Sequence, residues 1–478
     1  MKPRPQSRSR AVIALAVAGL LCLSLGVFSL GAEPAPPSLL PDCTSEGELP
    51  PQATLTLRAA VQWALAHNPA LATFRRNRGI AQAAVQIARQ YPFNPIVQDY
   101  TWYGQGPPEA GVINPIFNEH TMRLDLELRH QGRYRRAMAQ AALTRTEWEI
   151  AAQELLVAIQ VTRAFNTLIY RQDKYRLLEE GLQLTEQVAG LTKQLVEQGK
   201  LSSADLLLAY ADVTDGRTAL GPVRSVVVVA ENDLRRALGM IDESFQPEGT
   251  LEKEFVPPSL NVLVQAGLER RPDLHALTFA VHEAEQRRRL EIANRWGNPS
   301  LGPAFEENET SVTFVGMWLI WQAPILNTRK GEISQRAAEL ARAVQARYQG
   351  EVLVKQDVFA ALARLAQAED VVKIFRTQTL PSLRKTREEF DKLYEAQRPG
   401  VDLARIIDIR RRLLRNQDAY LDALFELSQA QTDLAAAVAD LSIAGCRAVP
   451  PAQQSEAPGT PTAPAGEELP PPNPVPEK

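Results

Sequence analysis

The chain states one pattern twice, and that repetition limits its fold more than any single motif does. Ala66-His67-Asn68-Pro69-Ala70-Leu71 is answered roughly two hundred residues later by Leu268-Glu269-Arg270-Arg271-Pro272-Asp273-Leu274. Each Pro-x-Leu opens a helical stretch, and each stretch gives out before an Asn-Pro pair, Asn94-Pro95 and Asn298-Pro299. Past each pair the apolar period shortens from helical to alternating. Across residues 121–130, Met122, Leu124, Leu126 and Leu128 alternate with Arg123, Asp125, Glu127 and Arg129, which predicts a strand with one apolar and one charged face. Residues 96–103 are its expected partner. In the second half 300–306 and 311–322 take these places, around the polar turn Glu307-Asn308-Glu309.

After each strand pair a long helix is expected, over 133–197 and 329–396, each about 100 Å long at about 1.5 Å per residue. Each doubles back at a tip, Gly199-Lys200-Leu201-Ser202 and Arg398-Pro399-Gly400-Val401, where glycine permits the reversal and proline cannot continue a helix ladder. Shorter helices return over 204–238 and 401–441. The second hairpin shows the reason: Leu383, Phe390, Leu393 and Tyr394 before the tip, and Leu403, Ile406, Ile407, Leu413 and Leu414 after it, form one narrow apolar stripe per helix. Two striped helices joined by a tight tip make an antiparallel coiled hairpin. Pro222 and Pro381 are expected to kink or break their helices.

The expected layout is a signal segment at 1–32 and an irregular stretch at 33–53. A first repeat follows at 54–241, with its β-hairpin at 95–130, then a linker at 242–260. The second repeat covers 261–443, with its hairpin at 299–323, and a Pro-rich disordered tail covers 444–478. Lys2, Arg4, Arg8 and Arg10 precede an apolar run that ends at Gly31-Ala32, which reads as an export signal, with an uncleaved anchor as the alternative. Leu21 before Cys22 disfavours lipidation there. Cys43 and Cys446 flank the helical body and are either one disulfide or two unrelated thiols. With a formal net charge of −3, no basic excess exists to displace counterions, so no nucleic-acid partner is expected.

In an exported protein, strands with one apolar and one charged face belong to a soluble sandwich or to a membrane barrel with a wet lumen. Four strands are too few to close around water, so a barrel would be shared between chains, and three copies would supply twelve strands.

These features together resemble the TolC-like outer-membrane efflux protein family. The resemblance is carried by LTLRAAVQWALAHNPAL at 55–71, the Asn-Pro strand entries, Gln131-Gly132-Arg133-Tyr134, Pro324-Ile325-Leu326-Asn327 with Lys330-Gly331, and the second hairpin, and it covers about residues 53–443. It implies a mainly helical chain with a membrane β-part, trimerising into a 12-stranded barrel in the outer membrane and an α-helical tunnel through the periplasm. The homotrimer would be the passive exit duct of a tripartite efflux or type I secretion system. Its tips would dock on a periplasmic adaptor of an inner-membrane pump. The Gln-Gly-Arg and Pro-Ile-Leu-Asn pieces look closest to the branch that exports heavy metals and cations.

By position Asp408 falls on the family's inner aperture acid, and Arg405 replaces its other acid. The pair is either a gate or an ordinary solvated helix pair. Gly199, Leu201 and Ser202 match the adaptor-contacting turn, with plain turn and cap chemistry as the alternative, and Arg398, Pro399 and Gly400 form the shifted second tip. Tyr100, Trp102, Leu124, Leu126, Trp318 and Trp321 are the expected lipid-facing residues. Arg410, Arg411 and Arg412 read as a solvated helix face.

No catalysis, cofactor or metal is expected. His67, His120, His130, His275 and His282 sit at no metal-ligand spacing, and a helix cap explains Ser202-Ser203-Ala204-Asp205 better than a nucleophile does. The rival reading is a soluble periplasmic coiled-coil adaptor or scaffold, although such a protein carries one hairpin between β-domains where this chain carries two.

Overall fold

The computed structural model describes residues 54–445 except 107, 108, 110, 200, 242, 243, 253, 254 and 396–402, with backbone alone at 387, 390–395 and 403–406. All of these belong to one unit of the chain, Leu39–Lys478. The signal segment, Cys43, the second tip (Arg398, Pro399, Gly400), Cys446 and the tail beyond it lie outside the described residues.

The first half begins with β1 (Thr54–Thr56), which runs parallel to β4 (Gln246–Glu248). It feeds α1 (Leu57–His67), whose start is capped by Thr56 Oγ1 accepting from Ala59 N at 3.3 Å. Asn68 then does two jobs. It ends α1 and caps α2 (Pro69–Arg75), its Oδ1 accepting from Leu71 N at 3.1 Å while its Nδ2 donates to Ala237 O at 2.9 Å. α3 (Asn77–Arg89) leads to the strands β2 (Ile96–Tyr103) and β3 (Ile116–Asp125). From the sheet α4 runs 67 residues (Gln131–Glu197) to the first tip, and α5 (Ser203–Leu238) returns.

In the second half the order is α6 (Leu260–Arg270), α7 (Pro272–Asn294), β5 (Ser300–Glu307), β6 (Thr313–Ile320) and α8 (Lys330–Ile374). A single π turn, Phe375–Thr379, joins α8 to α9 (Leu380–Glu395), and α10 (Leu403–Val438) comes back from the second tip. The joints of the two halves share their backbone. Asn68 and Arg271, each before a helix-opening proline, stand at φ −64°, ψ 117° and φ −65°, ψ 117°. His130 and Arg329, each before a long helix, are both left-handed at φ 60° and φ 50°. Gly239 and Ala439, each after a return helix, are left-handed at φ 77° and φ 57°.

The two prolines behave differently. At Pro381 the π turn lies immediately upstream. A proline ring inside an α-helix collides with the carbonyl four residues back, here that of Thr377, and one wide turn opens the needed room. Pro222 sits within an α5 that continues unbroken from Ser203 to Leu238, so the expected break does not occur there.

The main core gathers where the middle of α4 meets the ends of the other helices. Val161, Phe165 and Leu168 of α4 pack with Leu55, Leu71, Leu234, Leu238, Leu365 and Leu434, all buried. Away from this core, among the described residues, the buried clusters are small, such as Ala189, Ala209 and Val213 near the first tip. A helix stabilised by one narrow stripe leaves its other faces for further partners.

Candidate functional site

At one end of the fold, β2, β3, β5 and β6 form a four-stranded antiparallel sheet in that order, so the pairing of β3 with β5 joins the two halves. β3 begins and ends five residues earlier than the alternation at 121–130 suggests. Leu126 N still donates to Pro299 O at 2.8 Å, one step further along the β3–β5 register, and beyond it the chain turns to other partners: Glu127 pairs with Arg135 at 2.5 Å, and Arg129 N donates to Gln131 Oε1 at 2.8 Å. The bonds of Glu127 and Arg129 seat the start of α4 rather than extend the ladder.

Directly opposed residues in a sheet share a face. Tyr100 opposes Glu119, which opposes Glu306; Trp102 opposes Phe117; Trp318 opposes Gly302. Leu124 opposes Leu301, which opposes Leu319, on the other face. The six residues expected on one lipid-facing surface therefore divide. Tyr100, Trp102 and Trp318 lie on the face that holds Glu119, Asp125 and Glu306, and Leu124 lies on the other face, which is apolar at Met122, Leu301 and Leu319 and also carries Asp99, His120 and Glu307. Leu126 and Trp321 fall past the strand ends, where Trp321 Nε1 donates to Trp296 O at 2.9 Å. Along β3 and β5 the charged face is the covered one: Thr121 and Gly302 are buried, while His120, Met122, Leu301 and Pro303 are exposed.

At the first tip Gly199 is left-handed at φ 71°, with open space around it. Half-buried Leu201 follows, and Ser202 closes a capping box on α5: Ser202 Oγ accepts from Asp205 N at 3.3 Å, and Ser202 N donates to Asp205 Oδ2 at 3.0 Å. On α10, Asp408 Oδ2 sits 3.0 Å from Arg412 Nε, both exposed. The Arg405 side chain lies outside the described residues. Arg411, expected on a solvated face, instead reaches the first hairpin, where its Nε donates to Asp212 Oδ1 at 2.8 Å. The Asp212 side chain is only 13 % exposed.

A second tie between the hairpins escaped the sequence reading altogether. Lys174 Nζ on α4 lies 2.9 Å from both Asp418 Oδ1 and Asp422 Oδ1 on α10. Tyr170 OH donates to Asp422 Oδ1 at 2.5 Å, and the Tyr170 ring stacks on Phe425 at 4.4 Å. Burial works against the Lys174 ammonium, yet the hydrogen bonds with Asp422, Asp418 and Tyr170 outweigh it and hold its pKa above the usual lysine value. Burial likewise opposes the Asp422 carboxylate, and the bonds from Tyr170 and Lys174 still draw its pKa below the ordinary range. Burial and the bond to Asp422 raise the Tyr170 phenol. The only sequence signal was the spacing of Asp418 and Asp422, one helical turn apart, and nothing in it pointed to a partner on α4.

Among the described residues, no group of three or more His, Cys, Asp or Glu side chains is placed to hold a metal ion. No described helix is long and apolar enough to cross a membrane.

No family model matches the sequence, and no curated protein does. Solved structures do. A membrane protein from Pseudomonas aeruginosa superposes with a TM-score of 0.64 at 20 % identity, over 80 % of this chain and 92 % of that one. CusC, described for conformational changes accompanying folding and transmembrane channel formation, gives 0.65 at 16 % identity, over 85 % and 98 %. The open state of the MtrE outer membrane channel of Neisseria gonorrhoeae gives 0.63 at 16 % identity, over 80 % and 89 %. The chain has the fold of these outer-membrane channels.

Proposed function

We propose that this chain is the outer-membrane exit duct of an export system, passive itself and driven by an inner-membrane pump through a periplasmic adaptor. The observation that carries the reading is the open sheet. β2 and β6 are its outer strands, and β6 is exposed along all eight residues, with Phe314, Val315, Met317, Trp318 and Leu319 among them. A long apolar edge strand invites pairing, and lipid tolerates no unpaired backbone. Three copies joined β6 to β2 close a twelve-stranded barrel. In that barrel the covered, charged face lines the lumen, and Leu124, Leu301 and Leu319 meet lipid. The same fold in known outer-membrane channels disfavours the soluble adaptor reading.

The paired hairpins continue the lumen into the periplasm. At their far end Asp408 is the candidate aperture acid, where a ring of three carboxylates would favour cations. Its helix neighbour Arg412 tempers that charge. The first tip, at Gly199, Leu201 and Ser202, is the candidate adaptor contact, together with Arg398, Pro399 and Gly400. The metal or cation branch rests on the Gln-Gly-Arg and Pro-Ile-Leu-Asn pieces alone.

The test is conductance of the purified full-length protein in a planar bilayer, with Asp408→Ala beside the wild type. Cation-selective pores in the wild type and weakened selectivity in the variant support both assignments. Pores indifferent to the change remove Asp408 from the aperture. A protein that stays monomeric and soluble without detergent removes the duct.

A further inference from the structure

Four short segments join the sheet to the helices, at residues 86–96, 126–136, 288–299 and 321–333. Together they carry ten Arg and Lys against three Glu, whereas the four strands carry five Asp and Glu against one Arg. The joint therefore carries a basic excess that the adjoining strands lack.

At its centre is Trp296, exposed at the end of α7. The Arg129 guanidinium lies over its ring at 5.0 Å from the centroid, and that of Arg295 at 5.8 Å. Gly297, left-handed at φ 64°, turns the chain away just after it, and the Trp321 indole bonds the Trp296 carbonyl. The nearby carboxylates are engaged elsewhere, Glu127 by Arg135 and Glu291 by Arg329. A guanidinium that stacks on an aromatic face keeps its N–H edge for a planar, two-pronged acceptor. The same joining segments carry bare apolar side chains: Leu128 is 65 % exposed, Ile325 79 % and Leu326 99 %.

Cations, indole rings and bare aliphatic side chains at one level match the layering of a lipid leaflet, with phosphate outside and acyl chains within. We infer that this joint is a lipid-phosphate collar, in which Arg129 and Arg295, stacked on Trp296, grip the headgroup phosphate of an anionic glycerophospholipid in the periplasmic leaflet. The inference rests on the duct reading, because only a sheet in the membrane sets the joint at the lipid–water boundary. Leu128, Ile325 and Leu326 then dip into the acyl region beneath the phosphate. Net negative lipid is the fitting occupant because the joint carries three Glu against ten Arg and Lys, and two of those Glu, Glu127 and Glu291, are already paired.

Native mass spectrometry of the full-length protein in detergent, titrated with phosphatidylglycerol, tests the collar. Arg129→Gln/Arg295→Gln should bind that lipid about tenfold more weakly, a factor equal to about 1.4 kcal/mol. Its bilayer conductance should match the wild type. Equal lipid binding in wild type and variant overturns the collar, as does displacement of the lipid by an equal concentration of inorganic phosphate. Should the double variant fail to fold, brominated phosphatidylglycerol in vesicles decides the matter with intact protein. Bromines near the headgroup should quench emission in the wild type, and less of it in Trp296→Phe. Quenching identical in the two proteins overturns the collar. A wild type that conducts but ignores anionic lipid defeats the collar alone, and one that never inserts defeats the duct and the collar together.

Discussion

Single residues decide which side of the sheet meets which solvent. Tyr100, Trp102 and Trp318 carry the aromatic weight that suggests a lipid-facing surface, but facing depends on parity and parity depends on pairing. The opposition of Tyr100 to Glu119 places them on the charged side, a fact no single strand reveals. Met317→Arg, in the middle of β6 on the face of Leu301 and Leu319, should therefore cost the proposed barrel about 2–4 kcal/mol at the bilayer midplane. Trp318→Arg, on the other face, should cost far less. The temperature at which the trimer dissociates in SDS gels separates the two. Gly302 is a sharper case. A Cβ there would fall on the Met122 carbonyl oxygen and against Arg123 Cα, both backbone, so no side chain can swing aside. Gly302→Ala should part β3 from β5 and destabilise the sheet by about 1–3 kcal/mol. A lowered melting temperature with unchanged helical circular dichroism at 25 °C would confirm that the loss is local.

The helices were legible from their stripes, because a periodic apolar face survives any change of neighbour. The long helices and their returns follow such stripes, carried in the second hairpin by Leu383, Ile407 and Leu413. The strands were legible in number and order but not in bounds, since 127–130 alternates like a strand while Glu127 and Arg129 serve the start of α4. The π turn was not legible at all. Pro381 announced a disturbance, and only the helix around it shows that one wide turn absorbs it without a break. The linker leans on that turn, with Glu252 accepting from Tyr420 OH at 2.6 Å and lying 3.4 Å from Arg376 within it. With the ring removed, Pro381→Ala should let the wide turn tighten toward ordinary α geometry. Amide hydrogen exchange across 375–381 should slow relative to wild type, and exchange left unchanged would assign the turn to the Glu252 clamp instead.

Over the whole molecule, the two hairpins share the main core and are also tied by charged groups, Arg411 with Asp212 and Lys174 with Asp418 and Asp422. Lys174 faces two carboxylates one turn apart, and Lys174→Met leaves them to repel each other. The site is partly exposed and so sits at the weak end of the scale, with an expected loss of about 1 kcal/mol. The pH dependence follows from the shifts. Asp422 has a lowered pKa, so its contribution is present above about pH 4 and fades as pH falls through the folded value. Lys174 has a raised pKa, so its contribution is present below about pH 10 and fades as pH rises through the folded value. The stability gap between wild type and Lys174→Met should stay flat from about pH 5 to about pH 9 and narrow on either side, as measured by thermal melts in detergent. The open sheet has a kinetic corollary. A chain that brings four strands and two bare edges has no stable home in a bilayer by itself, so a duct of three copies makes insertion and assembly one event. While most chains are still single, the yield of ducts rises as the cube of their concentration, and halving the supply leaves about one eighth of the pores by mass action. A modest change in synthesis, or a scarce edge-blocking peptide shaped like β6, would then act as a steep switch on export.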